Sequence, residues 1–133
     1  YIRSEGGEIA AGLDIYDEIR LYRGETRGIV MGFAQSMGAI ILQACTHRVA
    51  ARHAEVLIHN NTMIRQLTDR DVRRRGDPLA DVRRDLLLLR HSTDDIFVRS
   101  TGRTKKEIRA QCKLGRPMTA EEALKFGLLD ELI

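Results

Sequence analysis

A serine and a histidine in this chain of 133 residues stand where a protein scaffold could make them react. Ser36 follows an apolar, β-branched run and precedes the apolar segment 37–45, a pattern that predicts a strand, a turn and a helix. His59 ends a second apolar run, at 55–58. A serine hydroxyl needs a base within hydrogen-bond reach to become a nucleophile, and histidine suits that role near neutral pH. The pair indicates acyl-transfer chemistry if the fold brings the two side chains together.

Each of these residues also has a structural interpretation. A serine between a strand and a helix commonly caps the helix N-terminus, and a single histidine at a strand end is commonly structural. The other histidines fit the base role less well. His91 lies within a predicted helix, and His47 and His53 lie in polar turn segments. From the residues alone, a cap and a nucleophile both remain open for Ser36.

The composition is that of an ordinary soluble chain. Hydrophobic residues make up 43% and charged residues 31% of it, and the net charge is +3. We expect one cytoplasmic domain (1–133) without a membrane span, because no apolar run approaches about 20 residues. Neither Cys45 nor Cys112 belongs to a metal-ligand or redox pattern, so no metal and no cofactor are expected.

Basic residues crowd between Arg65 and Arg84, but aspartates are interleaved with them. Nucleic-acid binding favours a continuous basic surface, often with aromatic side chains that stack on bases, and aromatic residues are missing nearby. We therefore expect a solvated or subunit-facing charged surface and no nucleic-acid site.

Alternating strand and helix patterns predict an α/β fold with a largely parallel sheet. Asp77 and Pro78 are expected to begin a long helix, and Thr119 with Glu122 predicts a capping box. Because the opening strand needs a partner, we expect further chain before Tyr1. The predicted strands lie at the start of the chain and at 27–33, 49–51, 55–58 and 128–133, the helices at 8–21, 37–45, 78–100, 105–112 and 119–127, and a mobile loop at 62–76.

The long helix is more apolar than a single buried face requires. Its stripe includes Leu86 and Ile96, and Leu87, Leu88 and Val98 widen the stripe beyond one face. A helix of this kind in a small domain predicts burial against another subunit.

Several short motifs occur in a characteristic order: Gly6-Gly7, Ala11-Gly12-Leu13-Asp14-Ile15-Tyr16-Asp17, Gln35-Ser36-Met37-Gly38-Ala39, Leu57-Ile58-His59 and the segment 119–133. No single one of these motifs is specific by itself. Taken in order, they resemble the proteolytic subunit of the Clp protease, and the resemblance covers nearly the whole chain.

This resemblance implies a serine endopeptidase built of stacked β-β-α units, with a protruding handle region at about 62–112. Ser36 would be the nucleophile and His59 the base, which reverses the structural preference for each residue taken alone. The backbone N–H groups of Gly7 and Met37 would form the oxyanion hole. The resemblance also implies peptide or unfolded protein substrates, a homo-oligomeric ring and an AAA+ unfoldase partner.

One position departs from the family pattern. The aspartate that completes the family's catalytic triad falls on Gly115, and the run 111–117 contains no acid. A water, a backbone carbonyl or an acid from the segment Asp69–Asp71 could replace it. Glu5 and the pair Asn60-Asn61 depart where the family has proline and Gln-Pro. These changes are expected to alter the substrate groove.

Three other functions compete with an active peptidase. Gly115 favours a non-catalytic subunit of a Clp-type complex, which retention of Ser36 and His59 opposes. An acyl-CoA enzyme of the crotonase type shares the architecture but has no use for those two residues. The segment 34–38 also resembles the nucleophile elbow of an α/β-hydrolase, a fold that places its histidine late in a longer chain.

Overall fold

The structure, a computed structural model, describes residues 1–62, 68, 71 and 76–133. Its strands are β1 (Ile2–Ser4), β2 (Arg27–Gln35), β3 (His47–Ala50), β4 (Glu55–Leu57), β5 (Met118–Thr119) and β6 (Glu131–Leu132). Its helices are α1 (Ile9–Leu21), α2 (Met37–Leu42), α3 (Ala80–Thr101), α4 (Lys105–Leu114) and α5 (Ala120–Phe126).

The sheet is built on β2, because three strands pair with it in parallel. β1 pairs with residues 30–34 of β2, whereas β3 pairs with residues 27–30 of β2 and β4 with residues 33–35. Gly32 lies between the parts of β2 that pair with β3 and β4. Its φ is 137°, a backbone conformation that residues with a Cβ atom rarely adopt. β6 then extends the sheet in parallel beside β3, and β5 runs antiparallel beside β4.

This topology confirms the predicted α/β fold with a largely parallel sheet. The core lies where the sheet meets α2, α4 and α5 and the C-terminal half of α3. The largest side chains that are fully buried in it are Leu42, Ile58, Ile108, Leu128, Val30, Val49 and Val56. Since these residues come from segments between 30 and 128, burial of one core joins distant parts of the described chain.

The predicted start of the long helix at Pro78 is wrong by two residues. Asp77 does not cap the helix; its Oδ1 accepts a hydrogen bond of 2.9 Å from the backbone N–H of Leu79. An aspartate that binds the N–H two residues further on forms its own turn, which competes with helix formation. The helix therefore begins at Ala80, after this turn, with Leu79 at the N-cap position.

Several other boundaries also differ from the predicted ones, including the end of β2 at Gln35 and the span of β3 at His47–Ala50. α2 ends at Leu42 instead of residue 45, and the buried Gln43 amide Nε2 donates to the carbonyl of Ala39. The last strand is confined to β6. Leu128 and Leu129, predicted to belong to it, are buried in the turn that precedes β6. α4 extends to Leu114, two residues beyond its predicted end. The predicted mobile loop at 62–76 lies largely outside the described residues.

The two halves of α3 have different surroundings. Its buried residues are Thr93, Asp94, Ile96 and Phe97, all in the C-terminal half. In the N-terminal half, Leu87 and Leu88 are 50% and 60% exposed. The apolar excess noted in the sequence is thus left uncovered by the described part of this chain. None of the helices described is long and apolar enough to cross a lipid bilayer.

The C-terminal segment is held to the sheet by a charged pair. The guanidinium of Arg48 binds Asp130 through two bonds, with its Nη2 2.6 Å from Oδ1 and its Nε 2.9 Å from Oδ2. Its Nη1 donates to the Gln43 side chain and to the carbonyls of Ser100 and Gly127. One arginine therefore connects β3, the end of α3 and the turn before β6. Hydrogen bonds from Arg48 also hold the pKa of the Asp130 carboxyl below its ordinary value of 3.8.

We expect Asp130→Asn to lower the free energy of unfolding at neutral pH and to remove part of its acid dependence. Because the folded pKa is depressed, the stabilisation is complete above the unfolded value of 3.8 and is lost as the pH falls from there through the lower folded pKa. The difference in unfolding free energy between wild type and variant, from urea titrations at several pH values, should therefore shrink at acid pH. Asp14→Asn, at an exposed position of α1, is the matched control. A difference that stays constant with pH would contradict the role of this pair.

Candidate active site

Two neighbouring parallel strands place Ser36 and His59 at the same edge of the sheet. Gln35, the last residue of β2, pairs with Leu57, the last residue of β4. Ser36 follows the first strand directly, and His59 follows the second by two residues. Adjacent strands lie about 4.8 Å apart, so the register brings the serine and the histidine close together.

Ser36 occupies a strained turn between β2 and α2. It has a φ of 53° and a ψ of −120°, and it is the sole residue other than glycine with a positive φ in the described chain. Its N–H donates to the Leu57 carbonyl at 2.9 Å, and its carbonyl accepts from the N–H groups of Ala39 and Ile40. Strain of this kind costs about 1–3 kcal/mol and is found disproportionately at functional sites.

The capping interpretation of Ser36 is wrong. The residue stands at the N-cap position of α2, but its side chain accepts no hydrogen bond from the first turn of the helix. Its Oγ has no hydrogen-bond partner among the described residues, and the side chain is only half-buried. The hydroxyl is therefore available to another group.

The segment before α1 packs closely on Ser36. A Cβ added to Gly6 would lie 2.6 Å from the Cβ of Ser36, so a side chain there would collide with it. The N–H of Gly6 donates to the Ser4 hydroxyl at 3.1 Å. In contrast, the N–H groups of Gly7 and Met37 donate to no described residue. These are the two donors that the resemblance to Clp proteolytic subunits implies for an oxyanion hole.

The Nδ1 atom of His59 lies 2.7 Å from the backbone carbonyl oxygen of Asn60. A carbonyl can only accept a hydrogen bond, so Nδ1 carries the proton in this arrangement and Nε2 of the neutral ring has a free lone pair. No hydrogen bond joins Ser36 to His59 in the described structure. Such bonds are often long in sites without substrate and tighten when it binds.

All four site residues predicted from the sequence line one cavity of about 190 Å³: Ser36, His59, Gly7 and Met37. Its walls also include Asn60, Asn61 and Thr62, and a side of α3 that carries Arg90, Thr93, Asp94 and Phe97. The structure thus brings together the groups that acyl transfer requires: a hydroxyl, an imidazole and two free N–H donors.

The position of the missing triad aspartate lies outside this cavity lining. Gly115 ends α4 in a left-handed conformation, with a φ of 61°, and a Cβ placed there would meet no atom within 4 Å. A backbone carbonyl, one of the three proposed substitutes for the aspartate, lies beside His59, at Asn60. Asp71 accepts hydrogen bonds from Thr68, and Asp69 lies outside the described residues.

Sequence reasoning missed Asp94, the acid that lines the cavity. Its residue is only 4% exposed, and its Oδ2 accepts from Nε of Arg109 at 2.7 Å. A signal was present in the sequence, because Asp94 lies one turn of helix before Val98 and beside Ile96 and Phe97 in the apolar part of α3. A charged residue in such a stretch indicates a buried partner or a functional site.

Cys112 also lines the cavity but is not a competing nucleophile. Burial, and then the nearby Asp94 carboxylate, raise the pKa of the Cys112 thiol to about 11. Since the thiolate is the nucleophilic form, the group is inert near neutral pH. No cluster of three or more potential metal-ligating side chains occurs within the described ranges 1–62 and 76–133.

The parallel sheet, the strained serine turn and the neighbouring histidine define a class of α/β protein with a hydroxyl–imidazole site. Comparison with known proteins narrows the class. The sequence model described as Clp protease matches residues 1–133. The ATP-dependent Clp protease proteolytic subunit 3 of Synechococcus sp. (strain CC9902) is 36% identical over 138 residues, which cover 100% of this chain and 64% of that protein. The chain belongs to the Clp protease family, and it spans 64% of the length of this relative.

Proposed function

We propose that the chain is a serine endopeptidase subunit that hydrolyses peptide bonds with Ser36 and His59. The observation that carries this proposal is the site itself: an unpartnered serine hydroxyl in a strained turn shares one cavity with a histidine that has a free Nε2. Membership of the Clp protease family supports a peptidase over an acyl-CoA enzyme or an α/β-hydrolase.

The chemistry follows from the positions of these groups. Nε2 of His59 would take the proton of the Ser36 hydroxyl as Oγ attacks the carbonyl carbon of the substrate. The carbonyl oxygen, now negative, would receive hydrogen bonds from the N–H groups of Gly7 and Met37. His59 would then give its proton to the leaving amine, and water would release the acyl group from Ser36 by the same steps in reverse.

The carbonyl of Asn60 would serve in place of the triad carboxylate, though only in part. It fixes the tautomer that the reaction needs, because it accepts from Nδ1. It carries no full negative charge, so it stabilises the imidazolium less than a carboxylate does. In serine proteases, loss of the correct tautomer costs about 10⁴-fold in rate. Since this site retains the tautomer, we expect slow but measurable activity.

The uncovered part of α3 supports assembly with further copies of this chain. Leu87 and Leu88 are 50% and 60% exposed, and Leu21 and Tyr22 at the end of α1 are 74% and 64% exposed. Exposed apolar groups of this size commonly mark subunit contacts. We propose a homo-oligomeric ring that encloses the sites, accepts unfolded protein or peptides, and is supplied by an AAA+ unfoldase. Sedimentation of the chain as a monomer at micromolar concentration would count against the ring.

A fluorophosphonate probe tests the catalytic proposal directly, because it reacts only with an activated serine. We expect labelling at Ser36, identified by mass spectrometry of the tryptic peptides, and at least about a hundredfold slower labelling in His59→Ala. His53→Ala, at an exposed residue outside the cavity lining, is the matched control and should label at the wild-type rate. Absence of labelling in a folded wild-type protein would favour the alternative, a non-catalytic subunit of a Clp-type complex.

A further inference from the structure

The cavity beside Ser36 combines apolar lining residues with a buried carboxylate. On one side it is apolar, with Ile40 and Ile58 among its lining residues. On the α3 side, Thr93 and Asp94 are both only 4% exposed, and both line the same cavity. The side chain of the substrate residue that carries the reacting carbonyl would therefore contact apolar groups and also a carboxylate.

The hydrogen bonds of Asp94 are incomplete. Its Oδ2 accepts from Arg109, whereas its Oδ1 accepts from no described residue. In the described part, Nε2 of Gln111 is the one side-chain polar atom that is both fully enclosed and without a partner. Oδ1 of Asp94 also lacks a partner among the described residues, so it is not fully enclosed. A buried carboxylate is stabilised when both of its oxygens accept hydrogen bonds. The open oxygen of Asp94 is thus a binding position for a donor.

The cavity also contains a cation, which has to be weighed against Asp94. Arg90 lies one helical turn before Asp94, lines the same cavity and forms no ion pair with a described residue. At Cys112, which lies in the same lining, Asp94 raises the pKa of the thiol more than Arg90 lowers it. Arg109 is bonded directly to Asp94 at 2.7 Å, and its side chain is 40% exposed. A basic group in the cavity would therefore share the Asp94 carboxylate with Arg109.

We propose that Asp94 selects substrates with a basic side chain, lysine or arginine, on the residue whose carbonyl Ser36 attacks. The apolar walls suit the methylene stem of such a side chain, and Oδ1 of Asp94 suits its N–H donors. The inference rests on the proposed peptidase function, because it names the specificity of that same site.

The experiment uses three peptidyl phosphonate esters that differ only in the side chain next to the phosphorus: lysine, leucine or glutamate. These esters phosphonylate an active serine irreversibly, so rates of inactivation report recognition even where turnover is slow. We expect the wild-type chain to react fastest with the lysine compound. In Asp94→Asn, which keeps the shape and removes the charge, the rate with lysine should fall about tenfold to a hundredfold, as expected for a charge-assisted hydrogen bond. The rate with leucine should stay within about threefold.

Asp95→Asn is the matched control, because Asp95 is the next residue of α3 and pairs outside the cavity with Lys105 at 2.6 Å. It should leave all three rates unchanged. Arg109→Gln should increase the preference for lysine, since it removes the cation that competes for Asp94. If Asp94→Asn fails to fold, the wild-type order of rates still decides the matter.

Three results would overturn the inference: a wild-type preference for leucine, a preference for glutamate that indicates control by Arg90, or a lysine preference that Asp94→Asn leaves intact. These outcomes are distinct from failure of the proposed function. A chain that labels with the generic fluorophosphonate but does not prefer lysine would retain Ser36 as nucleophile and refute only the role of Asp94.

Discussion

Replacing Ser36 with alanine is expected to lower peptide hydrolysis by about 10⁴-fold or more, because the proposed nucleophile is removed outright. Stability should change by less than about 1 kcal/mol, since the Oγ atom has no hydrogen-bond partner among the described residues. The backbone strain at this position should also persist, because alanine has the same Cβ. Cleavage of an unfolded, fluorescently labelled protein, measured together with thermal unfolding, separates the two effects.

Ser92→Ala provides the comparison for this variant. Ser92 lies on the exposed surface of α3, where its hydroxyl donates to the carbonyl of Leu88 within the same helix. We expect its hydrolysis rate to equal that of the wild type. Hydrolysis that survives in Ser36→Ala would indicate a different nucleophile and would refute the proposed mechanism.

Gly6→Ala is expected to reduce activity by about 10² to 10³-fold with Ser36 and His59 both intact. The new Cβ would lie 2.6 Å from the Cβ of Ser36 and 3.0 Å from its Oγ, and Gly6 has a φ of 103° that disfavours alanine. The segment before α1 must then move away from the serine. It carries the N–H of Gly7 with it, and one oxyanion donor is typically worth about this factor in rate.

The matched control for Gly6→Ala is Gly102→Ala at the end of α3. Gly102 also has a positive φ, of 70°, but a Cβ there would meet nothing within 4 Å. It therefore incurs the backbone penalty of about 1 kcal/mol without a collision near the site. If both variants lost activity equally, general destabilisation would explain the result and the close approach of Gly6 to Ser36 would have no catalytic meaning.

Local patterns in the sequence predict the fold class, and the resemblance to Clp proteolytic subunits selects Ser36 and His59 as a pair. Apolar runs mark β2 and β4, and the residues that follow two parallel strands meet at one sheet edge. The partner of His59 could not be chosen among the three alternatives, because it is a main-chain atom and every residue type has the same carbonyl. The pairing of Asp94 with Arg109 joins α3 to α4, and such a contact depends on how the helices pack.

The start of α3 illustrates a different limit. Asp77 and Pro78 have the residue types of a helix start, and the sequence contains no information that separates a cap from a turn closed on Leu79. The same types serve both structures, and the difference lies in which N–H the carboxylate accepts from. Capping boxes are more specific, because two side chains bind reciprocally. The predicted box at Thr119 and Glu122 is confirmed, and a second at Thr104 and Glu107 was missed.

The contact between Nδ1 of His59 and the carbonyl of Asn60 has a consequence for how the site tolerates mutation. A triad carboxylate is lost in a single codon change, whereas a peptide carbonyl survives every substitution of its own side chain. The orientation of the base would then be inherited with the path of the backbone after β4. Variation at position 60 would be free to reshape the groove while the catalytic tautomer stays the same.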